Sequence, residues 1–203
     1  MGEHTPGARA PEISSDVGRG DPRVAALLGQ MARVSDERAS LTIRPLATLL
    51  SLRASESVRS QVAHALALAA LPGANTSAQT PWGQCLWMRP DEWLLAGNEA
   101  IPRSMIDTLT STVSPDDGAV VDVSDSRLRL ELSGPASRDV LASCCPLDLH
   151  PLSFYVGRCA QSLVAKAPVL VHLVDDTPRW QLYVRPSLTA YVVAWLTDAM
   201  ATG

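Results

Sequence analysis

The sequence predicts an α+β fold of two related halves, each running strand, helix, hairpin, helix, with largely antiparallel sheet covered by helices and an N-terminal arm. Three observations carry this reading. Two hairpin junctions echo one another, Arg89-Pro90-Asp91-Glu92-Trp93 and Asp176-Thr177-Pro178-Arg179-Trp180. Each hairpin is followed by a proline and a stretch with apolar residues at helical spacing. The hairpins are also too tight for the long crossovers that parallel sheet requires.

The elements follow in order. Residues 1–40 mix Gly, Pro, Ser and charges around one apolar patch, Val24 to Met31, behind Asp21-Pro22. That is an arm with a short helix near 22–32, which a partner chain could hold. From Leu41 a single α+β domain is expected to run to residue 203, with an approximate repeat over 41–114 and 118–201. Leu41 to Ile43 and Leu46 to Leu52 read as extended, broken by Pro45. Val58, Val62, Ala65, Leu66 and Ala69 fall on one helical stripe; Ser55 or Ser57 could cap it, and Pro72-Gly73 should stop it. Gly73 to Pro81 is read as loop, and Trp82 to Met88 with Trp93 to Ala96 as a hairpin. Pro102 then starts a helix carrying Met105, Ile106, Leu109 and Val113.

In the second half, Ala119 to Val123 and Arg127 to Leu132 are strands. The latter turns Leu128, Leu130 and Leu132 inward and Arg127, Arg129 and Glu131 outward. Gly134-Pro135 opens a short helix to about Cys144. Strands follow near Cys159 to Ala165 and Val169 to Val174, then a return strand alternating Trp180, Leu182 and Val184 with Arg179, Gln181 and Tyr183. The last helix, Pro186 to Met200, sets Leu188, Tyr191, Val192, Trp195, Leu196 and Ala199 on one stripe.

Composition narrows the function. With 203 residues, 46% hydrophobic and 19% charged, the chain has enough apolar material for a packed core. A net charge of -4 leaves no excess of cations for phosphates or an anionic membrane surface. The most apolar run, Val62 to Leu71, falls short of the roughly 20 residues a membrane helix needs. The N-terminus has no apolar stretch behind a basic start, so it does not read as a signal peptide, and the cytoplasm is the expected compartment. Cys85, Cys144, Cys145 and Cys159 are expected as reduced thiols.

Motifs that bring chemistry are missing. Gly18-Arg19-Gly20 supplies two glycines of a dinucleotide fingerprint, but Arg23 stands where the third belongs and no strand precedes it. There is no phosphate-cradling loop, no H-E-x-x-H pair and no G-x-S-x-G elbow. The cysteines and His64, His150 and His172 lack the paired spacing of zinc ligands, so packing explains them better; His150, beside Pro151, reads as a surface residue. Asp116 and Asp117 suit a tight turn at Ser114 to Gly118 better than a general base or cation site. Asp122, in an apolar strand near Arg127, could form a buried ion pair. Of five tryptophans, Trp93, Trp180 and Trp195 suit core packing, while Trp82 and Trp87 also suit interface anchoring.

Several segments are familiar together. Asp122-Val123-Ser124, Ser126-Arg127 and Leu130 to Ala136 resemble the opening strands and first helix of the folate-binding, aminomethyltransferase-like fold. Within it, Cys145 to Leu149, Phe154, Gly157 to Ala160, Arg185-Pro186-Ser187 to Tyr191 and Trp195-Leu196 resemble the gamma subunit family of heterotetrameric sarcosine oxidase, as does Arg89 to Leu95. The resemblance spans about residues 41–200; Pro186 and the arm depart from it. It implies a flavoenzyme that oxidatively demethylates sarcosine to glycine, yielding hydrogen peroxide and either formaldehyde or 5,10-methylenetetrahydrofolate. It further implies alpha, beta and delta partner subunits that carry FAD, FMN, NAD and the tetrahydrofolate site. No catalytic, cofactor-binding or metal-ligating residue carries over to this chain, whose expected role is structural. The alternative is a stand-alone tetrahydrofolate-binding aminomethyltransferase-like protein, motivated by Asp122 and Arg127.

Overall fold

The computed structural model describes residues 34–35, 38–44 and 46–202; the helix expected near 22–32 lies outside them. Among the described residues, eleven strands and four α-helices follow in chain order. The first half comprises β1 (Val34–Ser35), β2 (Ser40–Arg44), β3 (Thr48–Ala54), α1 (Arg59–Ala65), β4 (Ser77–Thr80), β5 (Gly83–Arg89), β6 (Glu92–Gly97) and α2 (Arg103–Thr112). The second comprises β7 (Gly118–Asp122), β8 (Leu128–Ser133), α3 (Ser137–Ala142), β9 (Cys159–Val164), β10 (Ala167–Asp175), β11 (Arg179–Val184) and α4 (Pro186–Thr202).

All pairings are antiparallel, in two sheets ordered β4-β5-β6-β3-β7 and β1-β2-β8-β11-β10-β9. The orders match when β7-β3-β6-β5-β4 is laid on β2-β8-β11-β10-β9. The two halves therefore exchange a strand: β2 completes the sheet of the second half and β7 completes that of the first. Equivalent backbone bonds seal the exchange, Ser55 N–H to the Asp117 carbonyl at 2.7 Å and Ala136 N–H to the Arg38 carbonyl at 2.9 Å. Gly118 is required at its crossing. With φ at +153°, a Cβ there would stand 2.0 Å from the Arg53 carbonyl oxygen.

The sheets pack face to face with helices on both outer faces. Leu50, Leu52, Cys85, Trp93 and Leu95 of one sheet pack under Val62 and Leu66 of the α1 region and Met105 and Leu109 of α2. Leu130, Leu132, Val171, Trp180 and Leu182 of the other pack under Val140 and Leu141 of α3 and Val192 and Leu196 of α4. Between the sheets lie Leu49, Leu86, Met88, Leu94, Cys159, Leu170 and Tyr183. Inner strands are consequently covered on both faces, a burial that strict alternation against water does not describe.

That arrangement corrects several expectations. Arg129, expected outward on β8, is 7% exposed because its face meets the other sheet; Gln181 and Tyr183 are buried for the same reason. The stretch read as loop contains β4, a short polar edge strand. Helix α1 stops earlier than Pro72-Gly73: Ala67 adopts φ +55°, and Leu68 N–H bonds back to the Ala63 carbonyl at 2.9 Å, closing the last turn. Neither Ser55 nor Ser57 caps it. On α4, Tyr191 and Trp195 are not in the core but 38% and 46% exposed. Among the described residues, no helix is long and apolar enough to cross a membrane.

Candidate functional site

Three places gather polar or aromatic groups that could carry function: the seam between the sheets, the arginine and tryptophan pairs at the two hairpins, and the turn around Asp117. In the seam, buried His172 on β10 shares a hydrogen bond of 2.9 Å between its Nε2 and Ser77 Oγ on β4. Burial pushes its pKa down to about 4, with Gln181 working in the opposite direction, so the imidazole is neutral at pH 7. The Tyr183 hydroxyl donates to Gln181 Oε1 at 2.8 Å, and Arg129 donates to Asn98 Oδ1 at 2.5 Å. Burial raises the Tyr183 phenol well above its ordinary value, against the pull of Arg129. Gln161 donates to the Met88 carbonyl at 2.7 Å and Ser77 N–H to the Gly157 carbonyl at 2.8 Å, so the seam ties one sheet to the other. Protons held this way favour a fixed sheet-to-sheet register, although His172 Nδ1 is buried without a hydrogen-bond partner among the described residues.

The hairpins repeat a side-chain device. The Arg59 guanidinium, from α1, lies 5.5 Å from the centre of the Trp93 ring on β6, and that of Arg138, from α3, lies 5.0 Å from Trp180 on β11. Each arginine also donates to a nearby carbonyl, of Pro90 and of Leu149 respectively. The surroundings differ. Phe154 packs on Trp180 with ring centres 5.5 Å apart, whereas the first half leaves a cleft of about 550 Å³ lined by Arg59, Glu56, Pro72, Pro90, Trp87 and Trp93. Trp93 Nε1 donates to the Pro72 carbonyl at 2.8 Å and Arg59 pairs with Glu56, while Arg59 Nε is buried without a hydrogen-bond partner among the described residues. Trp87 is half-buried here and Trp82 packs against the same core.

The remaining candidates are the Asp117 turn and isolated residues. Asp117 accepts hydrogen bonds from the Ser55, Ser57 and Ser114 hydroxyls at 2.8, 2.7 and 2.7 Å, which hold its carboxyl below the usual range; it pins the end of β3 to the start of β7. Asp122 is exposed rather than buried, and its Oδ1 accepts from Ser124 N–H and Oγ at 3.0 and 2.6 Å, the geometry of a local turn. Arg127 is half-buried; burial lowers its pKa, nearby Arg185 adds to that and Glu92 opposes it. The four cysteines are free. Burial pushes Cys85 up to about 12, with Cys159 adding to it, and pushes Cys159 and Cys144 each up to about 11. His64 and His150 are exposed, His172 buried. Among the described residues, no group of three or more His, Cys, Asp or Glu side chains gathers to hold a metal.

Sequence reading missed Arg129, Gln181 and Tyr183 in the seam, and the exposed pair Tyr191 and Trp195. For the last two a signal existed. Helix α4 carries apolar residues on all sides and one charged residue, Asp198, which a helix with only one face in the core does not need.

Residues 53–202 match the family described as sarcosine oxidase, gamma subunit family, which takes in everything from the end of β3 to the end of α4. The chain belongs to this family. It is 38% identical over 180 residues to the sarcosine oxidase subunit gamma of Corynebacterium sp. (strain U-96), covering 85% of this chain and 84% of that relative. Its fold matches a chain of the heterotetrameric sarcosine oxidase from Corynebacterium sp. U-96, in complex with pyrrole 2-carboxylate, with a TM-score of 0.76 and 34% identity over 88% of this chain and 92% of that one. The glycine cleavage system aminomethyltransferase T from Bartonella henselae shares the fold at a TM-score of 0.60 and 13% identity, over 85% of this chain and 48% of that one. This chain thus shares its fold with less than half of that aminomethyltransferase.

Proposed function

We propose that this chain is a non-catalytic assembly subunit of a heterotetrameric sarcosine oxidase, whose alpha, beta and delta subunits hold FAD, FMN, NAD and tetrahydrofolate. The observation that carries the reading is the extent of the match: 92% of a chain of a heterotetrameric oxidase is covered, so likeness extends over nearly the whole subunit. The reaction is oxidative demethylation of sarcosine to glycine, with hydrogen peroxide and either formaldehyde or 5,10-methylenetetrahydrofolate as products. No catalytic, cofactor-binding or metal residue is assigned to this chain. The locked seam around His172 and Tyr183 and the structural bonds of Asp117 support that assignment. In this reading the docking arm is the part of residues 1–40 that precedes β1, since β1, Ala39 and Ser40 already join the sheet and its core; the rest to 203 is one domain, and the cytoplasm is its compartment, in keeping with four free thiols. The stand-alone transferase loses part of its motive, since Asp122 is exposed and accepts from Ser124.

Coexpression with the alpha, beta and delta subunits tests this. Copurification in equal amounts with a yellow complex, and loss of sarcosine-dependent peroxide formation when the chain is omitted, are expected. A colourless monomer that ignores the flavoprotein subunits, or binds tetrahydrofolate alone at micromolar strength, would overturn it.

A further inference from the structure

The two repeats end in equivalent helices whose solvent faces differ in chemistry. On α2 the exposed residues are Arg103, Ser104, Asp107, Thr108, Thr110 and Ser111, all polar. On α4 the exposed face carries Ala190, Tyr191, Ala194 and Trp195 through its middle, with Asp198 one turn further on. Tyr191 and Trp195 meet edge to face with ring centres 6.3 Å apart, giving two large aromatic side chains flanked by alanines. The same scaffold position has thus been kept wettable in one half and made apolar in the other, so packing within the fold does not require the aromatics.

We propose that the α4 face centred on Tyr191 and Trp195 docks onto one other subunit of the oxidase, in an apolar groove bearing a lysine or arginine opposite Asp198. The proposal rests on the assembly reading above and adds the surface and the chemistry of its partner. Charge complementarity chooses the occupant. The last turn of α4 carries no basic residue; Arg38 lines the cavity beside Ala199, Met200 and Thr202, but Asp198 is exposed outside that lining and adds to the negative pole of the helix, so a partner's cation is favoured opposite it. A second copy of the helix does not supply one, because α4 contains no Lys, Arg or His. Tyr and Trp are also the side chains on which interface energy concentrates, through large area at low entropic cost.

The test uses the coexpressed four-subunit complex. p-Benzoylphenylalanine is installed at Trp195 or, as control, at Thr108 on α2, and Trp195→Glu, Asp198→Lys and Thr108→Glu are made separately. Light should link position 195, and not position 108, to one other subunit. Trp195→Glu should lower the amount of this chain recovered with the flavoprotein at least about tenfold, Asp198→Lys should lower it less, and Thr108→Glu should leave it unchanged. Circular dichroism of isolated Trp195→Glu should match the parent, since the side chain lies outside the core. If the parent chain forms no complex, the assembly reading fails and this proposal with it. If the parent assembles while Trp195→Glu assembles equally well, or position 195 links only to a second copy or to residues 1–33 of its own chain, the α4 proposal fails alone.

Discussion

Arg138 holds its guanidinium 5.0 Å from the centre of the Trp180 ring while donating a hydrogen bond to the Leu149 carbonyl. One side chain thereby fastens α3, the loop that leads to β9, and the hairpin strand β11. Arg138→Ala should cost about 2 kcal/mol in urea unfolding, combining a partly desolvated cation–π contact with a charged hydrogen bond. Arg138→Lys should recover only part of it, because an ammonium lacks the planar fork that stacks and donates at once.

Acid should weaken the fold through His172. Its folded pKa, depressed to about 4 by burial, lies below the ordinary 6.5 of an unfolded histidine, so the unfolded chain binds the proton first as pH falls. The contribution is fully present above pH 6.5 and is lost on the way down to pH 4, on the order of 3 kcal/mol for this group. Urea midpoints across that window should fall less steeply for His172→Gln than for the parent. Equal slopes would show that the imidazole is not held neutral.

The thiols should be slow to react. With Cys85 pushed up to about 12 and Cys159 up to about 11 by burial, almost no thiolate is present at pH 8. An aromatic disulfide reagent should leave both untouched in the native chain and titrate all four cysteines once urea unfolds it. Cys144, half-buried, should be more accessible than Cys85 and Cys159.

Gly118→Ala should disrupt the exchanged strand. Its Cβ would meet the Arg53 carbonyl oxygen at 2.0 Å, and backbone cannot yield as a flexible side chain would. A loss of about 3 kcal/mol is expected from strain and displacement together. Gly73→Ala, where nothing lies within 4 Å of a Cβ, is the control and should be close to neutral. Thermal denaturation of the two variants makes the comparison.

Much of this architecture was legible because local signals carried it. The Pro90 turn marks the first hairpin and Trp180 sits where the echo of Trp93 places it. Pro102 and Pro186 stand at the starts of α2 and α4. What escaped was information about partners. Alternation in β8 separates Arg129 from Leu130, but it does not say that a second sheet covers the arginine's face. Nothing in Ser77 to Thr80 has the apolar spacing of a strand, since β4 gains its pairing from β5 rather than from its own pattern. The end of α1 depends on Ala67 adopting a left-handed backbone, which alanine seldom does. Asp122 beside Arg127 in sequence suggested a pair because proximity along the chain is visible and exposure is not.

The reciprocal exchange of β2 and β7 has a consequence for synthesis on the ribosome. Strand β2 emerges early, but its sheet partner β8 lies roughly 80 residues later, about 4 to 16 seconds at 5–20 residues per second. During that interval the edge of β2 that faces β8 has no native mate, and the sheet around β3 is missing its own closing strand until β7 follows. A nascent chain interrupted before Gly118 has therefore made neither finished half, and strand-binding chaperones would find their window there.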